Sequence, residues 1–315
     1  MKPFRKFAEK CPWLFALLGM VAFVGLVKGV RQLVGYGSAV SPQRELLTGI
    51  GELIVAVVVF LLFGLFVGYR RLKPSGSGMG YGFRFLRVLL ILTAVIVLGA
   101  DLIGYVATKA GPSPVWQKVV ATVLLLSVGV VEEFTCRGMT FGGLLKALGK
   151  TRGGILTAAL ISSVLFGFVH VMSDVLNGDV ADATAVLQAA GKTLSTAMFG
   201  FVLAAIYLKT RNIWVPVVLH SVYDGITFLS TFVLKPQTVG QEAELAKYIR
   251  TGETGKLGVL IYLVSILILI PFFIKALKEM KKEALPVPSP LDDAWYEPAA
   301  DTAGTAAADG ENAPQ

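Results

Sequence analysis

The chain has 315 residues, of which 55% are hydrophobic and only 16% are charged, and its mean hydropathy is +0.70. Soluble domains carry about 25% charged residues, so this composition excludes an ordinary soluble protein and indicates an integral membrane protein. The net charge of +8 is unevenly spread. Residues 284–315 hold six acids and no base, which leaves 29 basic and 15 acidic residues in the rest. The basic residues lie at helix ends rather than on one face or tract, which argues against nucleic-acid binding and for contact with anionic lipids.

Eight stretches are apolar over a length close to the roughly 20 residues that a membrane-spanning helix needs. We therefore predict an all-α, polytopic integral membrane protein with about eight transmembrane helices. The predicted spans are 13–34, 46–69, 85–108, 115–138, 154–172, 194–208, 213–234 and 257–276. The first is the weakest, because its uninterrupted apolar part stops at Lys28.

Basic residues mark the cytoplasmic side of a membrane protein, and with eight spans most of them fall on one side. They are Lys2, Arg5, Lys6 and Lys10 before span one, Arg70, Arg71, Lys73, Arg84 and Arg87 after span two, Lys146, Lys150 and Arg152 after span four, Lys209 and Arg211 after span six, and Lys275, Lys278, Lys281 and Lys282 after span eight. We predict both termini in the cytoplasm and a location in the plasma membrane. Lys28, Arg31 and Arg44 break the rule, which leaves a tilted or interfacial first helix and a seven-span arrangement open.

Two adjacent carboxylates, Glu132 and Glu133, end the apolar stretch of span four. A charged residue near the centre of a membrane helix costs roughly 2.5 to 3.5 kcal/mol, and such residues usually face a cavity and carry function. Glu133 and Arg137 have the spacing of an i,i+4 ion pair, which would lower that cost. The alternative is that both glutamates mark the water boundary of the helix.

The only two histidines also lie in apolar segments, in the patterns Phe166-Gly-Phe-Val-His170 and His220-Ser-Val-Tyr-Asp224. Asp224 lies one helical turn after His220, where its carboxylate can hold the imidazole in one orientation, as around catalytic and metal-bound histidines. Either histidine could instead make a structural hydrogen bond. Depth is a further constraint: counted from the basic helix ends, His170 lies ~27 Å along its helix but His220 only ~14 Å. The two meet only if the helix of His170 starts late, tilts, or follows a segment in the interface.

The three patterns in this order on separate membrane helices, Glu-Glu-x-x-x-Arg, Phe-x-x-x-His and His-x-x-x-Asp, resemble the CAAX protease and bacteriocin-processing family of intramembrane endopeptidases. The resemblance implies that Glu132 is the general base that activates a water, with His170 holding that water. It implies that His220 and Asp224 stabilise the oxyanion, and that Glu133 and Arg137 shape the site as an ion pair, with Phe166 beside them. Peptide hydrolysis needs such a base and such donors.

The aspartate at position 224 needs a separate interpretation, because an ionised Asp cannot donate a hydrogen bond to an oxyanion. We infer that Asp224 orients His220, which then donates. A metal also remains open, because Glu132, His170 and His220 could supply the three protein ligands of a catalytic zinc ion. The sequence contains no His-Glu-x-x-His pattern. The expected cofactor is therefore none or zinc.

The leading prediction is an intramembrane endopeptidase whose partners are a peptide or lipidated protein substrate and membrane lipids, with no nucleic acid. Alternatives are a proton-coupled transporter, which the lack of internal repeats disfavours, and a non-catalytic immunity or scaffold protein. We predict three parts: helices one to three over 1–112, a catalytic core over 113–283, and an acidic tail over 284–315. The tail is expected to be disordered, because its composition buries little apolar surface. The sequence does not indicate an oligomeric state.

Overall fold

The computed structural model describes residues 2–34, 42–108, 111–112, 115–227, 234–235 and 255–297. In this part of the chain the helices are α1 (Lys2–Lys10), α2 (Pro12–Val34), α3 (Pro42–Val67), α4 (Met79–Thr108), α5 (Val115–Glu133), α6 (Gly142–Leu148), α7 (Arg152–Leu176), α8 (Ala183–Thr210), α9 (Trp214–Thr227) and α10 (Gly255–Lys281). A π-helical segment, Phe134–Phe141, joins α5 to α6. Short 3₁₀ turns follow α3 at Tyr69–Leu72 and end the described chain at Asp293–Trp295.

The predicted all-α class is confirmed. Within the described ranges the β structure is limited to one antiparallel pair of two-residue strands, β1 (Gly111–Pro112) and β2 (Leu234–Lys235). Among the residues that the structure describes, six helical stretches are long and apolar enough to cross a membrane, and a seventh is added if the bent pair α1 and α2 counts as one span. The predicted seventh span corresponds to α9, which has 14 residues, and residues 228–233 after it lie outside the described part. Including α9, the count is consistent with the predicted eight.

Side-chain hydrogen bonds set where two of the membrane helices begin. The hydroxyl of Thr151 accepts a hydrogen bond from the amide of Gly154 at 3.0 Å and caps α7. The carboxylate of Asp182 accepts one from the amide of Ala185 at 2.8 Å and caps α8. Such caps satisfy backbone donors that have no partner inside the helix. The two capped helices, α7 and α8, pack against each other, and α8 also packs against α10.

The first helix of the chain lies at a steep angle to the second. Residues Pro3–Lys10 and Pro12–Leu26 meet at a bend of 107°, and Phe4 and Phe7 of α1 are exposed while Ala8 is buried. A short basic helix with exposed aromatic side chains is typical of a segment that lies in the membrane interface. The predicted interfacial alternative concerned span one, residues 13–34, which corresponds to α2, so the position of α1 does not test it.

Residues 284–297, which we call the C-terminal clamp, correct the prediction that the tail is disordered from its first residue. Val287, Ser289, Leu291 and Trp295 are buried, and the amide of Val287 donates to the carbonyl of Gly149 at 3.1 Å. The prediction rested on the average composition of the tail, and such an average does not reveal a few well-spaced apolar residues that can pack against the helices. The prediction for residues 298–315 lies outside the described residues.

Contacts of the clamp show that basic residues from the ends of several predicted spans lie together at one end of the helix bundle. Asp293 pairs with Arg5 of α1 at 2.8 Å and with Arg71. Asp292 pairs with Lys146 of α6, and the guanidinium of Arg211, just after α8, lies 5.1 Å from the ring of Trp295. The N-terminal helix and the end of the last helix are thus on the same side, as an even number of crossings requires.

Close packing joins α2 to the π-helical segment. A Cβ atom at Gly19 would lie 2.7 Å from the carbonyl oxygen of Thr135 and 2.7 Å from the hydroxyl of Thr140, so only glycine fits. The same hydroxyl donates to the carbonyl of Ala16 at 3.1 Å. Small residues of this kind let membrane helices approach closely, where packing and hydrogen bonds hold them together.

Replacing Gly19 by Ala is therefore expected to destabilise the protein by about 1–3 kcal/mol, because the added methyl group overpacks the contact. Gly25 on the same helix has no atom within 4 Å of its would-be Cβ, so Gly25→Ala is the matched control and should change stability by less than about 1 kcal/mol. Thermal unfolding in detergent measures both variants. Equal stability of the two would contradict the close contact between α2 and the π-helical segment.

Candidate active site

The candidate site begins where α5 passes into the π-helical segment. Glu132 and Glu133 are the last residues of α5, and all eight residues of Phe134–Phe141 are buried. A wider turn disturbs the regular helical hydrogen bonds, and neighbouring helices supply partners: the hydroxyl of Ser162 on α7 donates to the carbonyl of Cys136 at 2.9 Å. π-Helical turns are frequent at functional sites. Periodicity did not predict this segment.

The predicted ion pair between Glu133 and Arg137 is present. Arg137 Nη1 lies 3.0 Å from Glu133 Oε1, and both side chains are almost fully shielded from solvent. The guanidinium also lies over the ring of Phe166, 4.2 Å from its centroid. On α8, a Cβ atom at Gly200 would come within 2.8 Å of Arg137 Nη2. The charge of Arg137 is therefore compensated by one carboxylate and one aromatic face in a space that a larger residue at position 200 would fill.

Glu133, rather than Asp224, makes the close contact with His220. His220 Nδ1 donates to Glu133 Oε1 at 2.6 Å, whereas Asp224 Oδ2 lies 3.7 Å from Nε2. The i,i+4 spacing correctly placed Asp224 near the ring but did not predict that a carboxylate from α5 holds the opposite nitrogen. Because Nδ1 is engaged, Nε2 is the nitrogen that faces Glu132, whose Oε2 lies 3.5 Å away.

His170 faces Glu132 from the other side. Its Nδ1 donates to the carbonyl of Phe166 at 2.8 Å, which in a neutral imidazole leaves the lone pair on Nε2. That nitrogen lies 3.9 Å from Glu132 Oε1. The histidines thus meet despite their unequal depths. Since α7 begins at Arg152 and only three residues separate it from α6, a late start of α7 does not explain the meeting.

The exposure of the side chains divides the cluster into a dry part and a part that water reaches. The exposed fraction is 28% for His170, 16% for Asp224, 13% for Glu132 and 5% for His220, against 0% for Glu133 and 1% for Arg137. Glu132 is therefore the glutamate whose side chain is accessible from outside the protein. Glu133 and Arg137 form the support behind it.

Aromatic side chains surround the two imidazoles, and of these Phe199 was not selected in the sequence analysis. Phe166 presents its edge to His170 at 4.6 Å and to His220 at 5.8 Å between ring centroids. Phe199 of α8 lies edge-on to His220 at 5.5 Å and stacks on Tyr223 at 4.4 Å. These rings restrict how the imidazoles can turn. Phe199 lies in a uniformly apolar run, which carries no signal of a nearby site.

The residues named as zinc ligands were tested against this geometry. Across the described ranges, no three His, Cys, Asp or Glu side chains are grouped so that they could hold a metal ion. The Nδ1 atoms of both histidines are taken up by Phe166 and Glu133, which leaves the Nε2 atoms facing Glu132. A hydrogen-bonded Nδ1 is also common in metal-bound histidines, so the expectation of no cofactor or zinc stays a prediction. The mechanism considered below takes no step through a metal.

Comparisons with known proteins agree with the motifs. Residues 114–226 match the family model described as type II CAAX prenyl endopeptidase Rce1-like. The chain is also 36% identical over 107 residues to the protein named "Putative membrane peptidase YdiL" from Bacillus subtilis (strain 168). This alignment covers 34% of the chain and 34% of that relative, so the chain matches about a third of the relative's length. All three motifs lie inside the matched region, so the predicted resemblance to this family of endopeptidases is confirmed over residues 114–226.

Proposed function

We propose that this protein is an intramembrane endopeptidase in which Glu132 activates a water molecule for attack on a peptide bond. The observation that carries the proposal is the position of the Glu132 carboxylate between two imidazoles. Its oxygens lie 3.9 Å from His170 Nε2 and 3.5 Å from His220 Nε2. The membrane-spanning helices and the matched peptidase family support the same reading.

The spacing of Glu132 and His170 suits a shared water. Their facing atoms, 3.9 Å apart, are too distant for a direct hydrogen bond, but a water about 2.8 Å from each bridges them at an angle of roughly 90°. The water donates a hydrogen bond to His170 Nε2 and keeps that proton, and it transfers its other proton to Glu132 as its oxygen attacks the substrate carbonyl. Glu132 then delivers that proton to the leaving amine, which completes the hydrolysis.

His220 is the group we assign to the oxyanion that forms during this attack. Its Nε2 faces Glu132, and its orientation is fixed by the 2.6 Å hydrogen bond from Nδ1 to Glu133. His220 donates to the oxyanion only when both ring nitrogens carry protons, because Nδ1 already donates to Glu133. Asp224, near Nε2, would hold the ring in place until the substrate arrives. Donors fixed in advance at a developing charge are a major part of catalysis.

Substrates, orientation and location are part of the proposal. We assign as substrates membrane-embedded or lipidated peptides, because exposed apolar side chains surround the helices that carry the site. Both termini are placed in the cytoplasm, since the basic residues Arg5, Lys146 and Arg211 share one end of the bundle with the clamp and such residues favour the cytoplasmic side. The plasma membrane and its lipids are the proposed surroundings.

Replacing Glu132 by Gln should lower the rate of peptide cleavage by at least about 100-fold, because a positioned general base contributes that much. The variant should still bind substrate, since the amide keeps the shape of the side chain. Cleavage of fluorogenic membrane peptides by purified protein measures the rate.

The matched control is Glu297→Gln, which removes an exposed carboxylate at the end of the described chain. Full activity of Glu132→Gln would contradict the peptidase mechanism. Solute uptake that depends on Glu132 would favour the transporter, and an unchanged cellular phenotype of Glu132→Gln would favour the scaffold.

The two carboxylates beside His220 should differ in importance. Asp224→Asn should reduce cleavage only modestly, whereas removing the charge of Glu133 should cost at least about tenfold, as loss of a carboxylate that orients a histidine does. Because Glu133→Gln alone would leave Arg137 buried without its partner, at a cost of about 3–5 kcal/mol, the double variant Glu133→Gln with Arg137→Met is compared at equal folded fraction. The opposite ranking would assign the orienting role to Asp224.

Removal of divalent metals should leave the activity unchanged, because the site is proposed to work without a metal. Cleavage is measured after dialysis against a strong chelator, with a zinc peptidase treated in parallel as the positive control. Loss of activity that added Zn²⁺ restores would contradict this part of the proposal.

A further inference from the structure

The C-terminal clamp reaches the cytoplasmic ends of helices whose inner parts build the candidate site. It follows α10 and lies against α1, α6 and the end of α8. Its contacts are of two kinds, ion pairs and buried aromatic packing, and none involves the site residues directly.

The ion pairs connect three separate elements through two adjacent aspartates. Asp293 Oδ1 lies 2.8 Å from Arg5 Nη1 of α1 and also contacts Arg71, which follows α3. Asp292 contacts Lys146 of α6 with one oxygen and accepts the amide of Ser289 with the other at 2.9 Å. Hydrogen bonds from Arg5 and then Arg71 hold the pKa of Asp293 below its usual range. Its charge is therefore present at neutral pH and is lost only as the pH falls through that lowered pKa.

Aromatic packing anchors the same segment to α8. Trp295 is fully buried, and its ring centroid lies 5.0 Å from that of Tyr207. The guanidinium of Arg211 lies over Trp295 and also donates to the carbonyl of Ala294 at 3.4 Å. Exposed ion pairs alone contribute little, so the buried tryptophan is what makes the segment a fixed part of the fold.

Two glycines of the region after the π-helical segment bring the clamp against α6. A Cβ atom at Gly142 would lie 3.2 Å from Pro290, and one at Gly149 would lie 3.1 Å from the carbonyl oxygen of Val287. The helix that runs from Glu132 through the π-helical segment to Leu148 is thus held at its cytoplasmic end by the clamp. The other anchored helix, α8, carries Phe199 and Gly200 against His220 and Arg137.

We propose that the C-terminal clamp positions the catalytic carboxylate, by fixing α6 through the contact of Asp292 with Lys146 and α8 through Trp295. This inference rests on the proposed peptidase function. Its physical basis is that α6 continues the helix of Glu132, so a shift at Lys146 is transmitted along it. A misplacement of about 1 Å at a reacting group costs about 100-fold in rate. Asp292 and Lys146 are thus positioning residues that contact no substrate.

Charge reversal tests the positioning role. Asp292→Lys or Lys146→Glu alone should lower kcat by about tenfold with little change in KM, because substrate binding is intact and only the reacting geometry is disturbed. The two changes together should recover most of the loss, since the pair re-forms with opposite signs. Rates are compared at equal folded fraction. Lys282→Glu, at an exposed position beside Glu279, is the control and should leave kcat unchanged.

A crosslink tests the clamp itself without any activity. In a Cys11→Ser background, Lys146→Cys with Asp292→Cys should be joined within one chain by a bifunctional thiol reagent in membranes. Its short spacer replaces the reach of the lost Lys and Asp side chains, because a direct disulfide would need Cα atoms within about 7 Å. The control pair is Lys146→Cys with Asp179→Cys and should form no crosslink, because Lys146 lies in α6 before α7 begins and Asp179 follows the far end of α7.

The outcomes separate the two proposals. Failure of the 146–292 crosslink would overturn the clamp. A crosslink that forms while the reversals leave kcat unchanged would overturn the positioning role alone. A wild-type protein that cleaves no peptide, despite the crosslink, would overturn the proposed function and this inference with it.

Discussion

Arg137 and Glu133 are charged residues whose side chains are almost fully buried. The arrangement of the site depends on the ion pair that compensates their charges. Removing one partner of such a pair is costly, because the other charge remains buried alone. Here Glu133 Oε1 lies 3.0 Å from Arg137 Nη1 and accepts a hydrogen bond from His220 Nδ1 at 2.6 Å. The pair therefore fixes the ring of His220 as well as the turn that carries Arg137.

The same constraint explains why Glu132 differs from its neighbour. Two successive residues on a helix point about 100° apart, so one can face the dry support while the other faces the histidines. The partial exposure of Glu132 and His170 provides the access to water that hydrolysis requires. The buried Glu133 thus holds His220 and Arg137 in place, while the partly exposed Glu132 is left for the reaction.

Much of this arrangement could be predicted from the sequence, and the parts that could not share a physical cause. Spacing within one helix correctly predicted the Glu133–Arg137 pair, and scarce ionisable residues in apolar runs led to Glu132, His170 and His220. The partner of His220 Nδ1 lies 87 positions earlier in the chain, on another helix and beside a π-helical turn, so no local spacing rule could select it. Composition failed for residues 284–297 because three or four apolar side chains, Trp295 above all, suffice to fix a short segment against existing helices.

The matched region, residues 114–226, is not a separable unit of this molecule. Phe63 of α3 lies 5.4 Å from Phe134 between ring centroids, and its ring comes within 2.9 Å of where a Cβ atom at Gly138 would stand. Gly19 of α2 is equally tight against the other face of the same turn. Helices α2 and α3 thus pack directly against the π-helical segment that carries Arg137. A relative that keeps the three motifs but has different helices in place of α2 and α3 must pack other side chains against this segment. We therefore expect compensating substitutions to accumulate outside the region of the family match.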